Sequence, residues 1–364
     1  MGNKGICRLI PVVPRQNAPD CRYFRGNREL PSWLSYAQGS FFLSFPPSLD
    51  SGQCAPPVYL RFRPMSLVFR LLSCLPLLVL QYLGTLAGWL AYAVSSRLRR
   101  NIEAHMPADL AVRPSGWAVA AETGKGILEL PWLWRRPQAE VVARVVKVDN
   151  WSLVEAAWAA GKGILFLTPH LGCFEITAQY YASHRPMTVL YRKPKRASLV
   201  PLIEQGRGAN LKLAPADLSG VRNLLKALKQ GEAVGMLPDQ VPGSGEGTWV
   251  PFFGRPAYTM TLAPRLADTG ATVILAYAER LPQGAGYHLK LFPLPEALVG
   301  SPEQKAATIN RALEGLIRQC PSQYAWGYNR YKRPRGAPPA PTDMHAETTA
   351  STTSHPSAKG EGNP

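Results

Sequence analysis

Short apolar segments alternate with helical patterns along the middle of the chain, and this alternation constrains the fold most strongly. Five segments have the length and apolar content of buried strands: "GILFLT" (163–168), "MTVLY" (187–191), "AVGMLP" (233–238), "TVILAY" (272–277) and "HLKLF" (288–292). Helical patterns lie around them at 151–160, 220–231, 258–270 and 302–320. The alternation predicts an α/β fold in which helices flank a central, mostly parallel sheet.

A long uncharged run precedes this region. Residues Leu71–Val94 include no Asp, Glu, Lys, Arg or His, and these 24 residues are enough to cross a bilayer. Arg97, Arg99 and Arg100 follow the run and favour a cytoplasmic position for the domain after it, although further arginines before the run weaken that orientation. We therefore expect one N-terminal membrane anchor helix within 65–100, with a buried core helix as the alternative.

The two ends of the chain differ in composition from its middle. Residues 1–64 are rich in Pro, Arg, Gly and Ser, and we expect them to be a disordered extension or to precede the true start at Met65. Residues 336–364 are rich in Pro, Thr, Ala, Ser and Gly and predict a disordered tail. The folded domain is therefore expected to cover 101–335.

The charge balance narrows the choice of partners. Lys+Arg 41 against Asp+Glu 24 gives a net charge of +17, which favours acidic partners such as nucleic acid, anionic lipid or an acidic protein. Nucleic acid is the weaker option, because aromatic residues do not interleave with basic ones as they do in RNA-binding modules. The six cysteines lack the spacing of a metal knuckle and favour a reducing compartment.

One histidine directly follows the first apolar strand pattern, and a glutamate follows five residues later. On a single helix, His170 and Glu175 would lie about 140° apart. They can meet if His170 lies in the loop after the strand and Glu175 in the first turn of the next helix, and Gly172 permits the turn between them. The alternative is a satisfied loop histidine and a helix-capping glutamate.

The block "GKGILFLTPHLGCFEI" resembles the His-x-x-x-x-acid block of glycerolipid acyltransferases, and most of all the lauroyl/myristoyl acyltransferases that act late in lipid A biosynthesis. Four further blocks match in order: "VLYRKPKRASLVPLIEQGRG", "GVRNLLKALKQGEAVGMLPDQ", "GTWVPFFGRPAYTM" and "PSQYAWGYNRYKRPRG". The chain departs from the family at Cys173 and Phe174, where Asn-Trp is usual, and after the "DQ" pair.

The resemblance implies an O-acyltransferase of the bacterial inner membrane. It would transfer a fatty acyl chain from acyl carrier protein to a hydroxyl of a 3-hydroxyacyl chain on a phosphorylated glucosamine disaccharide, without a metal or bound cofactor. His170 would be the general base and Glu175 would orient its imidazole. Arg207, or else Arg192, would bind a substrate phosphate, and Asp239 would be a structural or acceptor-binding acid.

Three alternatives remain open at this point. The acceptor could be another membrane lipid, such as a phospholipid or an aminolipid. Cys173 beside His170 fits a thiol hydrolase or thioesterase with a covalent acyl intermediate. A basic membrane protein without enzymatic activity, which recruits anionic lipid or nucleic acid, is the third alternative.

Overall fold

The structure, a computed structural model, describes residues 64–194 and 200–341. Its helices are α1 (Pro64–Cys74), α2 (Leu77–Val94), α3 (Ser96–His105), α4 (Gly116–Leu128), α5 (Leu130–Arg135), α6 (Gln138–Val142), α7 (Ser152–Ala159), α8 (Phe174–Ala182), α9 (Val200–Gly208), α10 (Leu218–Lys229), α11 (Leu262–Ala267) and α12 (Pro302–Gln319). Its strands are β1 (Val145–Asp149), β2 (Ile164–Leu167), β3 (Met187–Tyr191), β4 (Lys212–Pro215), β5 (Ala233–Met236), β6 (Gly247–Phe252), β7 (Arg255–Met260), β8 (Thr272–Arg280) and β9 (Tyr287–Pro293).

Seven strands form the central sheet, in the order β1-β9-β8-β2-β5-β3-β4. Neighbouring strands run parallel except β8 and β9, which are antiparallel and are joined by a short turn. The predicted α/β class with a mostly parallel sheet is therefore confirmed, and each of the five predicted strands is present.

Helices cover both faces of this sheet, and strand β2 shows why. Its side chains alternate between two hydrophobic cores: Ile164 and Phe166 belong to one, and Leu165 and Leu167 to the other. Helices α7 and α8 contribute to the first core, and α10 and α12 to the second. All four residues of the strand are buried, which is typical of a parallel strand covered on both sides.

The uncharged N-terminal run forms two helices rather than one. Helix α1 ends at Cys74 and α2 begins at Leu77, with Pro76 between them. Proline has no backbone N–H to donate and restricts the residue before it, so the break falls where the sequence places it. Within the part of the chain that the structure describes, α2 is the helix that is long and apolar enough to cross a membrane.

The prediction of one helix over 258–270 is wrong over its first three residues. Residues as far as Met260 belong to β7, which pairs with β6 in a separate antiparallel hairpin, and α11 starts only at Leu262. Phe253 and Gly254 form the hairpin turn with φ of 48° and 68°, the geometry that suits the twist of two adjacent strands. Pairing with β6 thus overrides the local helical pattern.

A buried ionic cluster ties the N-terminal helices to the sheet. Arg280, at the end of β8, donates from Nε to Glu129 Oε2 (3.0 Å) and from Nη1 to Glu122 Oε2 (2.8 Å). The Tyr287 hydroxyl also donates to Glu129 Oε2 (2.9 Å). The Arg280 and Glu129 side chains are only 2% and 1% exposed, so water does not stabilise either charge and each is compensated by the other.

Parts of both predicted terminal segments lie outside the described residues, namely 1–63 and 342–364. The described start of the predicted tail packs against the β6–β7 hairpin. Ala337 is buried there, and the carbonyl of Pro338 accepts a hydrogen bond from the Trp249 indole (3.0 Å).

Candidate active site

The site is built where two neighbouring parallel strands end. Strands β2 and β5 pair with Leu167 opposite Met236, and the Thr168 amide donates to the Met236 carbonyl (3.1 Å). His170 and Asp239 each follow three residues after this last pair. The carboxyl edge of a parallel sheet is where ligands bind in open α/β folds.

Asp239 holds His170 through two hydrogen bonds. The backbone amide of His170 donates to Oδ2, and the ring Nδ1 lies 2.8 Å from Oδ1. The Asp239 side chain is 2% exposed, whereas that of His170 is 20% exposed and accessible from the edge of the sheet. Burial by itself raises the pKa of the Asp239 carboxyl, but charge attraction and hydrogen bonds from His170 outweigh burial and lower it.

This geometry selects the histidine tautomer. An ionised Asp239 can only accept, so Nδ1 carries the proton and Nε2 keeps its lone pair. Gln240 Nε2 lies 3.0 Å from His170 Nε2 and donates into that lone pair. The imidazole is thus aligned as a base whose accepting nitrogen faces a neutral donor.

Backbone contacts fix the loop that carries His170. Gly172 has φ +61°, its amide donates to the Gln323 carbonyl (3.1 Å), and a Cβ there would lie 2.0 Å from the Ala278 carbonyl oxygen. The Cys173 amide donates to the same Ala278 carbonyl (2.8 Å). Only glycine satisfies both the left-handed conformation and the close approach, so the local sequence and strand β8 together set the position of the ring.

Glu175 belongs to a second pair, with Arg207. It lies in the first turn of α8 and is 6% exposed, and its carboxylate accepts from both Nε (2.9 Å) and Nη2 of Arg207. The Trp134 indole donates to Glu175 Oε2 (3.2 Å), and the guanidinium lies 5.6 Å from the centre of the Trp134 ring. Burial by itself lowers the pKa of Arg207, yet the adjacent Glu175 raises it overall.

The structure therefore groups the predicted residues differently from the sequence analysis. Among the described residues, the ring of His170 hydrogen-bonds to Asp239 and Gln240, and Glu175 bonds to Arg207 and Trp134. The orienting role expected of Glu175 stays a prediction, and the contact that orients the ring here comes from Asp239.

Arg192 lies at the same edge of the sheet, directly after β3. Its side chain is 67% exposed and lies 3.7 Å from Glu246, a weak surface contact that leaves the guanidinium open to solvent. The neighbouring Lys195 and Arg196 lie outside the described residues.

The thiol of Cys173 is poorly placed for nucleophilic attack. The residue is 3% exposed, and burial, followed by the nearby negative charge of Glu129, raises the pKa of the thiol well above its ordinary value. Because the thiolate is the nucleophilic form, this environment argues against a covalent thioester mechanism.

Two residues of the site escaped sequence reasoning. Gln240 is adjacent to Asp239 in the "LPDQ" stretch. Its place in a block that matches the family could have indicated that it belongs to the site. Trp134 precedes the rest of the site by 36 residues, and nothing in its local pattern indicates that α5 reaches Glu175.

Comparison with known proteins places this site in a family. The model of the family described as bacterial lipid A biosynthesis acyltransferase matches residues 58–333. The lipid A biosynthesis lauroyltransferase of Escherichia coli is 30% identical over 220 residues, which cover 59% of this chain and 71% of that protein. The lipid A biosynthesis palmitoleoyltransferase of the same organism is 27% identical over 279 residues, which cover 72% and 88%. A lipid A biosynthesis acyltransferase of Haemophilus influenzae is 26% identical over 301 residues, which cover 76% and 91%. The chain belongs to the bacterial lipid A biosynthesis acyltransferase family.

Proposed function

We propose that this protein transfers a fatty acyl chain from acyl carrier protein to a hydroxyl of a 3-hydroxyacyl chain on a phosphorylated glucosamine disaccharide, a precursor of lipid A. The observation that carries the proposal is His170, which is aligned by buried Asp239 and has Nε2 as a hydrogen-bond acceptor. Acyl transfer needs such a base, because the attacking hydroxyl is barely ionised near neutral pH.

The reaction balances with one proton held by the protein. The acceptor hydroxyl displaces the Gln240 amide from His170 Nε2, and its oxygen attacks the thioester carbonyl carbon while Nε2 takes the proton. The tetrahedral intermediate then collapses, the C–S bond breaks, and the imidazolium returns the proton to the departing thiolate. Asp239 stabilises the charged ring between these two steps, as a carboxylate does in a hydrolase triad.

Glu175 acts in this proposal through Arg207. Its carboxylate occupies Nε and Nη2 of the guanidinium and fixes the fork in one orientation. That leaves the Nη1 edge to face an anionic group of the substrate, either a phosphate or the oxygen of the tetrahedral intermediate. Arg192, exposed at the same edge of the sheet, is the second candidate for a phosphate contact.

The net charge of +17 suits the two proposed substrates, since the carrier protein is acidic and the lipid bears phosphates. We further propose that α2 attaches the protein to the inner membrane and that the site faces the cytoplasm, where acyl carrier protein is found. Because a lipid acceptor stays in the bilayer, attachment brings the site to its substrate.

The decisive test compares two variants with the unsubstituted protein, using acyl-carrier-protein donor and disaccharide lipid acceptor. We expect His170→Ala to abolish transfer and Cys173→Ser to preserve it, with equal thermal unfolding of all proteins as the folding control. Mass spectrometry of lipid A from cells with and without the gene should differ by one acyl chain. An inactive Cys173→Ser protein with a trappable acyl thioester would contradict the base mechanism, and an unchanged lipid A profile would contradict the substrate.

A further inference from the structure

Helix α2 has two distinct faces. One face is buried against the rest of the protein and consists of Leu77, Leu80, Gln81, Gly84, Gly88 and Tyr92. The other carries large apolar side chains that are 40% to 73% exposed, among them Leu78, Tyr82, Leu86, Trp89, Leu90 and Val94. We call this second set the apolar face of α2. A row of large apolar side chains along a whole helix indicates a partner of low polarity.

The buried face is attached by backbone contact with α4. A Cβ on Gly88 would lie 2.0 Å from the Ala120 carbonyl oxygen, and one on Gly124 would lie 2.0 Å from the Gly84 carbonyl oxygen. The two helices therefore approach as closely as their backbones allow. Small residues at such a crossing give tight van der Waals packing that no larger side chain can replace.

Both ends of α2 are held as well. Near its start, the Gln81 side chain accepts from the amide of Gly284, in the turn between β8 and β9 (3.2 Å). Near its end, the Tyr92 hydroxyl donates to Glu103 of α3 (3.3 Å). The helix is thus attached to the domain over its full length and is not a flexible tether.

This attachment conflicts with a helix that crosses the bilayer. A crossing helix is surrounded over about 30 Å by lipid or by other membrane-embedded protein. Here the partner is α4, whose Glu122 forms ion pairs with Lys125 and with Arg280 at the end of β8. For α2 to cross while it stays packed, these charges and the edge of the sheet would have to enter the hydrocarbon layer, which is costly.

We propose that α2 lies in the plane of one leaflet, with its apolar face among the acyl chains and the catalytic domain fixed rigidly to it. Exposed arginines flank the face on both sides, Arg70 on α1 and Arg97 and Arg100 on α3, and they would meet anionic headgroups at the boundary. The partner is therefore a lipid surface that combines apolar chains with negative headgroups. This inference deepens the proposed membrane attachment but does not depend on acyl transfer.

The depth of three positions on one side of α2 tests the orientation. Val79, Leu86 and Ala93 are all exposed and lie seven residues apart. Each of these side chains is therefore rotated about the helix axis by only about 20° from the one before it. Each is replaced singly by Cys and labelled with an environment-sensitive fluorophore. The labelled proteins also carry Ser in place of Cys7, Cys21, Cys54 and Cys74, so that these thiols do not react with the fluorophore. Vesicles of phosphatidylethanolamine and phosphatidylglycerol carry quenchers at defined depths.

An in-plane helix places all three labels at the same shallow depth in one leaflet. A crossing helix instead places Leu86 deepest and the other two near opposite surfaces, and that profile would overturn the proposal. Labels that stay in water at all three positions would also overturn it. Lys162 is exposed at the turn before β2. A fluorophore on Lys162→Cys is the control, and its fluorescence should not be quenched. Acyl transfer by the same labelled proteins reports on the proposed function separately.

Discussion

The exchange of Asp239 for Asn tests the alignment of the base most directly. The carboxylate accepts from both the His170 amide and ring Nδ1. Asparagine has only one acceptor oxygen, so one of the two donors must face its NH₂ group. The backbone amide cannot change, but the ring can move its proton from Nδ1 to Nε2. The variant imidazole then has no lone pair directed at the acceptor hydroxyl.

The expected loss is about 10⁴-fold in kcat, the size seen when the same exchange imposes the wrong tautomer in a hydrolase triad. Loss of a charge-assisted hydrogen bond should lower the free energy of unfolding by only about 1.5–3 kcal/mol, so the protein should remain folded. Initial rates with acyl-carrier-protein donor and denaturant unfolding separate the two effects. Asp109→Asn, the same chemical change at a 68% exposed surface carboxylate, is the matched control and should leave the rate unchanged. If Asp239→Asn kept a rate within tenfold of the unsubstituted protein, the tautomer argument would be refuted.

Three further predictions concern the residues around this pair. Gly172→Ala should cost well over the roughly 1–2 kcal/mol of a left-handed residue, because its Cβ would also clash with the Ala278 carbonyl, and both unfolding and activity should report the loss. Gln240→Glu puts a carboxylate beside Nε2 of His170 and stabilises the protonated ring, so the ascending limb of kcat/KM against pH should move to higher pH. An unchanged limb would show that the Gln240 amide does not contact the base in solution. Arg207→Lys keeps the charge but loses the two parallel hydrogen bonds to buried Glu175, so kcat should fall by far more than the free energy of unfolding does. A variant with unchanged kcat would show that the guanidinium has no part in the reaction.

Local patterns were sufficient for five of the nine strands that the structure describes. The buried strands β2 and β5 were readable because each is a short apolar run bounded by turn residues, and Gly231 closes α10 with φ +78° as a helix-ending glycine does. The error over 258–270 arose where a non-local partner decided the structure. Tyr258 lies opposite Trp249 in the β6–β7 pair, and a helical pattern in one segment gives no information about that pairing.

The same distinction explains the site. The position of His170 in the loop after β2 follows from neighbouring residues, and so does the position of Glu175 in the first turn of α8. The partner of the ring does not, because Asp239 is 69 residues away and reaches it only since β5 lies beside β2. Strand order is set by the packing of the whole sheet, so spacing along the chain does not indicate that Asp239 contacts the ring.

The buried cluster of Arg280 and Glu129 has a consequence for how such proteins change over time. Replacement of either residue alone leaves an unpaired ion in the interior, at a cost of about 3–5 kcal/mol, a large part of the 5–15 kcal/mol that keeps a typical domain folded. Relatives should therefore vary at these two positions together, for example as a matched apolar pair, and not singly. Helices α4 and α5 and strand β8 must therefore be exchanged together. A chimera whose N-terminal helices come from a relative without this ion pair should fold only when its β8 comes from the same relative.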